Sequence, residues 1–397
     1  MRNTVSSRSR PSAAGRTNPI RQRPVSRLRS VATLVLIVAG AIEAPAQSAS
    51  PHTIELPPPD ATLAAEFTLV TSVRELSDGR LLIVDGSERK LLVASWSNGS
   101  VTQLGRNGSG PEEYLEPSTL FALGGDSTLM PDSRNGRWLL LSGASIATTI
   151  GPEAPAIRSG ARLPLGADDQ GNVILTRPMG AVATGPIGLG RRDSVLLVRA
   201  ARATGRADTL AVLRARPATI KIQGPANNPT SVEVVINPLA TGELAALFPD
   251  GWIAIARLDP YRIEWIAPDG KRTRGSPLPF ERVRLDEREQ RAFVERQAAR
   301  TGRPPRDPAS FPEWPEIMPP FLSESLLRAP DGRLWIRRSP TAAQPNPPYD
   351  VVDRRGVLVS RVTSGKGVEV VGFGRGVVFT AVTDDDGIQH VQRRPFR

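Results

Sequence analysis

A tight turn feeding an apolar strand recurs six times along this 397-residue chain. It reads Asp78-Gly79 then RLLIVD, Gly125-Asp126 then STLMPD, Gln170-Gly171 then NVILTR, Asp250-Gly251 then WIAIA, Asp331-Gly332 then RLWIR, and Arg375-Gly376 then VVFTAV. A repeated supersecondary unit cannot bury its apolar face alone, so it must stack on copies of itself. The turn glycines are spaced by 46, 46, 80, 81 and 44 residues. Three of these intervals fit the roughly 40–50-residue period of propeller blades. The expected fold is therefore all-β: one six-bladed β-propeller over residues 47–397, with insertions filling the two long intervals.

Those insertions do not read as blades. The first interval holds a loop from Pro178 to Gly190 and the turn-rich segment Gly224 to Pro229. The second, about residues 281–322, combines a charged helical pattern over Asp286–Arg300 with seven prolines from Pro304 to Pro320. Within the first unit, strands are expected at Phe67–Leu76, Arg80–Asp85, Lys90–Ser95 and Val101–Leu104, the last two joined by an Asn98-Gly99 hairpin turn. Leu81 to Val84 and Trp252 to Ile255 are apolar at every position, as in strands buried on both faces. The last unit has three strands and then the chain runs out. His52–Leu56 is expected to supply the fourth, joining the last blade to the first.

Residues 1–30 carry eight arginines and no acid; Val31–Ile42 is an apolar run, and Ala44-Pro45-Ala46 follows. These are the three parts of a secretory signal peptide. The expectation is a signal over residues 1–46, cleaved before Gln47 with Ala44 and Ala46 in the recognised positions, and a periplasmic or extracellular protein. An uncleaved run would instead anchor the chain in the inner membrane. With no cysteine, the exported fold relies on its core and not on disulfides.

The net charge of +11 belongs largely to the leader. Subtracting its eight arginines and Glu43 leaves 43 basic and 39 acidic residues, a net +4 spread along the chain. Nucleic-acid binding needs a clustered basic surface, so it is not expected. Only two histidines exist, His52 and His390, and no nucleophile elbow appears. A histidine-based triad or zinc site therefore lacks its parts. Asp384-Asp385-Asp386-Gly387 reads as a solvated turn, and Glu112-Glu113 as acids that satisfy backbone amides or pair with arginine. Trp252, Trp265 and Trp335 read as core. Trp314, in the proline-rich insertion, is the candidate partner contact. No catalytic, metal or cofactor residue is assigned.

The stretch Gly105-Arg106-Asn107-Gly108-Ser109-Gly110-Pro111-Glu112-Glu113-Tyr114, with Pro117 after it, resembles a segment of exported bacterial six-bladed β-propeller proteins related to the NHL-type propellers. LSDGRLLIVD (76–85) and LDPYRIEWIAPDG (258–270) are similar to the same group. The sequence departs from that pattern at Met130-Pro131 and in the proline-rich insertion. The resemblance implies the fold and no particular activity, because most members have none assigned. The function expected is that of a monomeric, non-enzymatic binding or scaffold module of the cell envelope, with a protein or glycan ligand. The alternative is an enzyme using carboxylates in the central channel on a glycan or other polar substrate.

Overall fold

The computed structural model describes residues 51–396, apart from 159, 161–163, 179–193, 224–229, 237, 302 and 312. The leader and most of the two loops expected in the first long interval lie outside that set.

Six antiparallel four-stranded sheets follow one another as blades of a propeller. The first blade comprises Val70–Glu75, Leu81–Asp85, Lys90–Ala94 and Val101–Gln103. The second runs from Phe121 to Ile150, the third from Gly166 to Arg214, the fourth from Leu244 to Arg274 and the fifth from Phe321 to Thr363. Val368–Gly374, Val377–Thr383 and Gln389–Pro395 form three strands of the sixth. In each blade the first strand in sequence is innermost, and these inner strands adjoin around the axis. Second strands lie mid-sheet between neighbouring blades, which is why Leu81–Asp85 is buried throughout.

The core is divided into six apolar clusters, one between each pair of adjacent blades. Leu82, Met130 and Leu139 pack between blades one and two; Phe379 and Val391 pack with Leu81 and Ile83 to join six to one. Burying apolar area between sheets is the main force holding such a ring closed. Trp265 and Trp335 are core, as expected. Trp252 is only half-buried, because it precedes its strand at the rim, edge-on to Trp265 and beneath the Arg354 guanidinium.

An N-terminal strand closes the last blade, but it is not the expected one. Ala61–Thr62 pairs with Gln392 and Arg393, and Leu63 and Phe67 extend the contact through hydrogen bonds to Val391 and Gln389. His52–Glu55 instead adds a fifth, parallel strand to the outer edge of blade five, in register with Ser360–Thr363. The reason lies in side-chain burial: Leu63 and Phe67 fill the six–one cluster, whereas His52 and Thr53 remain exposed.

Because the strands alternate in direction, the connections alternate between two faces. The six recurring turns, which join first to second strands, share one face. Links between second and third strands, and from each blade to the next, share the other. That second face carries the hairpin Ala218–Gln223/Ser231–Ile236, the helix Glu287–Thr301 and the Gly105–Tyr114 segment.

Candidate binding face and channel

The Gly105–Tyr114 segment links blade one to blade two, and its residues are used structurally. Glu113 accepts from the Gly110 amide (2.6 Å) and pairs with Arg106 (2.7 Å). The Gly110 amide, followed by the Arg106 guanidinium, holds the Glu113 carboxyl below its ordinary value. At Gly108, with φ of 155°, an added Cβ would collide with that carboxylate. Tyr114 is buried and its hydroxyl accepts from the Leu91 amide (2.9 Å). Arg137 donates to the carbonyls of Ser109, Gly110 and Glu113 at 2.7–3.0 Å and pairs with buried Asp132 (3.3 Å).

Asp132 in turn accepts from the amides of Leu115 and Glu116, as Asp85 accepts from those of Thr68 and Leu69 in blade one. The Met130-Pro131 departure therefore leaves intact the aspartate that ends the strand. Beside this clasp runs a groove of about 520 Å³ lined by Pro111, Glu112, Arg137, Thr149 and Glu153.

The insertion is a second packed unit on the same face. Leu285 and Met318 are buried with Leu239, and Phe293, Trp314 and Leu322 pack against them. Trp314 is half-buried, edge-on to Phe293 (5.7 Å) and Phe311 (5.2 Å), and donates to the Pro308 carbonyl (3.2 Å). One part of its ring thus holds the insertion together, leaving the remainder accessible. The charged pattern forms the helix Glu287–Thr301 on this face. Its buried Glu289 accepts from the Ala342 amide of blade five (2.8 Å), and a polar hollow of about 710 Å³ lies along Glu287, Arg291 and Glu295.

The acids on and beside the inner strands have partners. Glu75 accepts from the Arg375 amide (2.8 Å), and Asp168 from the amide and side chain of Asn172 (2.6 and 2.9 Å). Glu243 pairs with Arg257 and Glu369 with Arg337, each at 2.7 Å. Glu324 sits on a bulge of the fifth inner strand with φ of 65°, where its charge opposes the lowering of the Arg216 pKa by burial.

Arg328 is different. Its guanidinium is 5.0 Å from the Phe121 ring of blade two, and among the described residues it donates to the Leu247 carbonyl of blade four at 3.4 Å. Blades two and five are opposite in a six-membered ring, so a contact between their inner strands crosses the axis. Burial lowers the Arg328 pKa to about 10. Part of the side chain remains accessible, so it faces solvent-reachable space.

Asp384 accepts from the amides of Asp386 and Ile388 in an ordinary polar turn, with His390 3.5 Å away. Ala44, Ala46 and Gln47 lie outside the described residues. The sequence reading missed Arg328, although a signal existed. Four residues before the turn glycine, blades one, three, four and six carry Glu75, Ala167, Leu247 and Gly372, and only blade five carries a cation.

Three solved structures are similar in fold. A member of the DUF4221 family from Bacteroides vulgatus is 7% identical, with 85% of this chain and 97% of that chain covered and a TM-score of 0.46. A catalytically inactive virginiamycin B lyase from Staphylococcus aureus is 10% identical over 85% and 98%, with a TM-score of 0.41. Regucalcin, a calcium-binding protein from Agrobacterium tumefaciens, is 13% identical over 87% and 97%, with a TM-score of 0.35. No protein-family model and no curated protein matches the chain.

Proposed function

We propose that this chain is an exported, non-enzymatic binding propeller whose ligand meets the channel and the insertion-bearing face. The observation that carries this reading is how the carboxylates are used. A general acid or base working near neutral pH needs a carboxyl pKa raised by burial or by a like charge. The shifted carboxyl groups of Asp78, Glu113, Asp126, Glu264 and Asp353 are all lowered. Backbone amides lead at Asp78 and Glu113, and the Ser77 hydroxyl at Asp126. At Glu264 and Asp353 burial pushes upward, but hydrogen bonds and arginine charges outweigh it. Such acids hold structure and do not deliver protons. Export rests on the leader: its basic start, its apolar run and Ala44-Pro45-Ala46.

The insertion-bearing face offers a protein or glycan the groove beside Pro111 and the accessible part of Trp314. The test presents the full chain to a glycan array, immobilised peptides and chromogenic glycosides. Saturable binding without turnover is expected. Turnover abolished by Glu112→Gln or Glu153→Gln would overturn the binding reading in favour of a carboxylate enzyme working in that groove.

A further inference from the structure

We propose that the central channel holds a binding site for a small oxyanion, a carboxylate or a phosphate, with Arg328 as its principal ligand. The proposal rests on the binding-propeller reading and narrows its ligand. Arg328 contrasts with the arginines that are fully engaged within the blades. Arg74 donates to the carbonyls of Ser127 and Gly125 and to the Thr128 hydroxyl. Arg137 has Asp132 and three carbonyls, Arg257 has Glu243 and Glu264, and Arg338 has Asp350. Each of these satisfies its charge or its donors within the chain.

Arg328 has five N–H donors in a planar fork, yet among the described residues it has one carbonyl at 3.4 Å and no carboxylate. A cation enclosed without a counter-charge is costly, and replacing it by an apolar group should be neutral or stabilising. Its retention in the channel therefore suits a ligand that supplies the missing charge.

The fork matches a carboxylate or phosphate two oxygens at a time. The Phe121 ring lies 5.0 Å from the guanidinium carbon and engages its charge without using its donors.

The test titrates the full chain with sodium phosphate, sodium acetate and sodium phenylacetate, each matched in ionic strength by sodium chloride, and follows the melting temperature. At least one probe should raise it saturably, by roughly 5 °C at a hundredfold excess over Kd. A response to phosphate alone or to the carboxylates alone identifies which oxyanion the site takes. Arg328→Met should melt no lower than the parent without probe and lose at least about nine-tenths of the shift. Arg328→Lys, which keeps charge but not the fork, should bind roughly tenfold more weakly.

Either of two results overturns the site: no probe exceeds the chloride control, or Arg328→Met responds like the parent. If Arg328→Met alone destabilises the chain and Arg328→Lys restores it, the arginine is a structural plug. Should neither variant fold, Phe121→Leu decides, because it must weaken phenylacetate binding relative to the parent. Glycan or peptide binding without any oxyanion response would remove the channel site and leave the binding-propeller reading standing. Turnover in the glycoside assay would do the reverse.

Discussion

Ring closure by Leu63 and Phe67, and not by the preceding strand, can be tested by paired substitutions. Leu63 is 2% exposed and Phe67 4% exposed, both in the cluster between blades six and one. Truncating a buried leucine to alanine costs 2–5 kcal/mol and a buried phenylalanine 3–5, so about 3 kcal/mol is expected for Leu63→Ala and about 4 for Phe67→Ala. Ile54 is partly exposed on the outermost strand of blade five, and Ile54→Ala should cost only about 1 kcal/mol.

Guanidinium unfolding reads all three through tryptophan fluorescence. Trp96, packed against the six–one cluster and stacked on Phe379 at 6.3 Å, reports on the closure directly. Removing residues 51–57 should leave a cooperative transition, whereas removing 51–67 should broaden it as blade six loses its outer strand. If Ile54→Ala costs as much as Phe67→Ala, or if the longer truncation leaves the transition unchanged, this account of closure is wrong.

Two further outcomes are expected. Asp350 is fully buried and accepts from the Tyr261 hydroxyl (3.0 Å), Arg338 (2.9 Å) and Arg361 (2.9 Å). Asp350→Ala strands two guanidinium groups, so it should cost about 4 kcal/mol in denaturant unfolding; a cost below about 1 would refute the network's role. The Glu264 carboxyl lies below its ordinary value because Arg257 and Arg262 outweigh the upward push of burial. Its folded pKa is below the unfolded value of about 4.3, so its contribution is complete above that pH and is lost as pH falls through the folded value. Glu264→Gln should therefore lower stability at pH 7 by about 1 kcal/mol and flatten the loss measured between pH 4.5 and 3.

The blade repeat was legible in the sequence because each turn needs a residue at positive φ. Gly79, Gly171, Gly251, Gly332 and Gly376 lie between φ 69° and 85° and mark the boundary from first to second strand. Burial on both faces left its own trace in the unbroken apolar runs. The closing segment was harder to recognise because only two residues form its ladder, and its burial comes from Leu63 and Phe67, outside any alternating pattern. His52–Leu56 has the stronger strand composition, yet strand composition does not choose the partner.

The Gly-Pro segment was legible as a motif, but its chemistry required the structure. Glu113 reads in the sequence as an acid for a backbone amide or an arginine, and the structure names them as Gly110 and Arg106, with Tyr114 held by Leu91. Arg328 was obscured for the opposite reason. In an arginine-rich chain its charge stands out only against the matching positions of the other blades, and the structure adds that it has no acidic partner among the described residues.

The two faces of the ring do different work. On the face of the recurring turns, short links are clasped from blade to blade. Asp126 accepts from the Ser77 amide and hydroxyl, Arg375 donates to the Ser77 carbonyl, and Arg354 pairs with Asp250. These ties cross the joints between blades one and two, six and one, and four and five. A ring held by such clasps and by its six apolar clusters does not depend on the length of the loops opposite. The entropic cost of a longer loop grows only with the logarithm of its length. The fourth blade can therefore reach the fifth through a helix and a proline-rich segment without opening the ring. Insertions are therefore tolerated on that side, which is where the proposed binding reading would place new surface, while Arg328 sits on an inner strand of the ring itself.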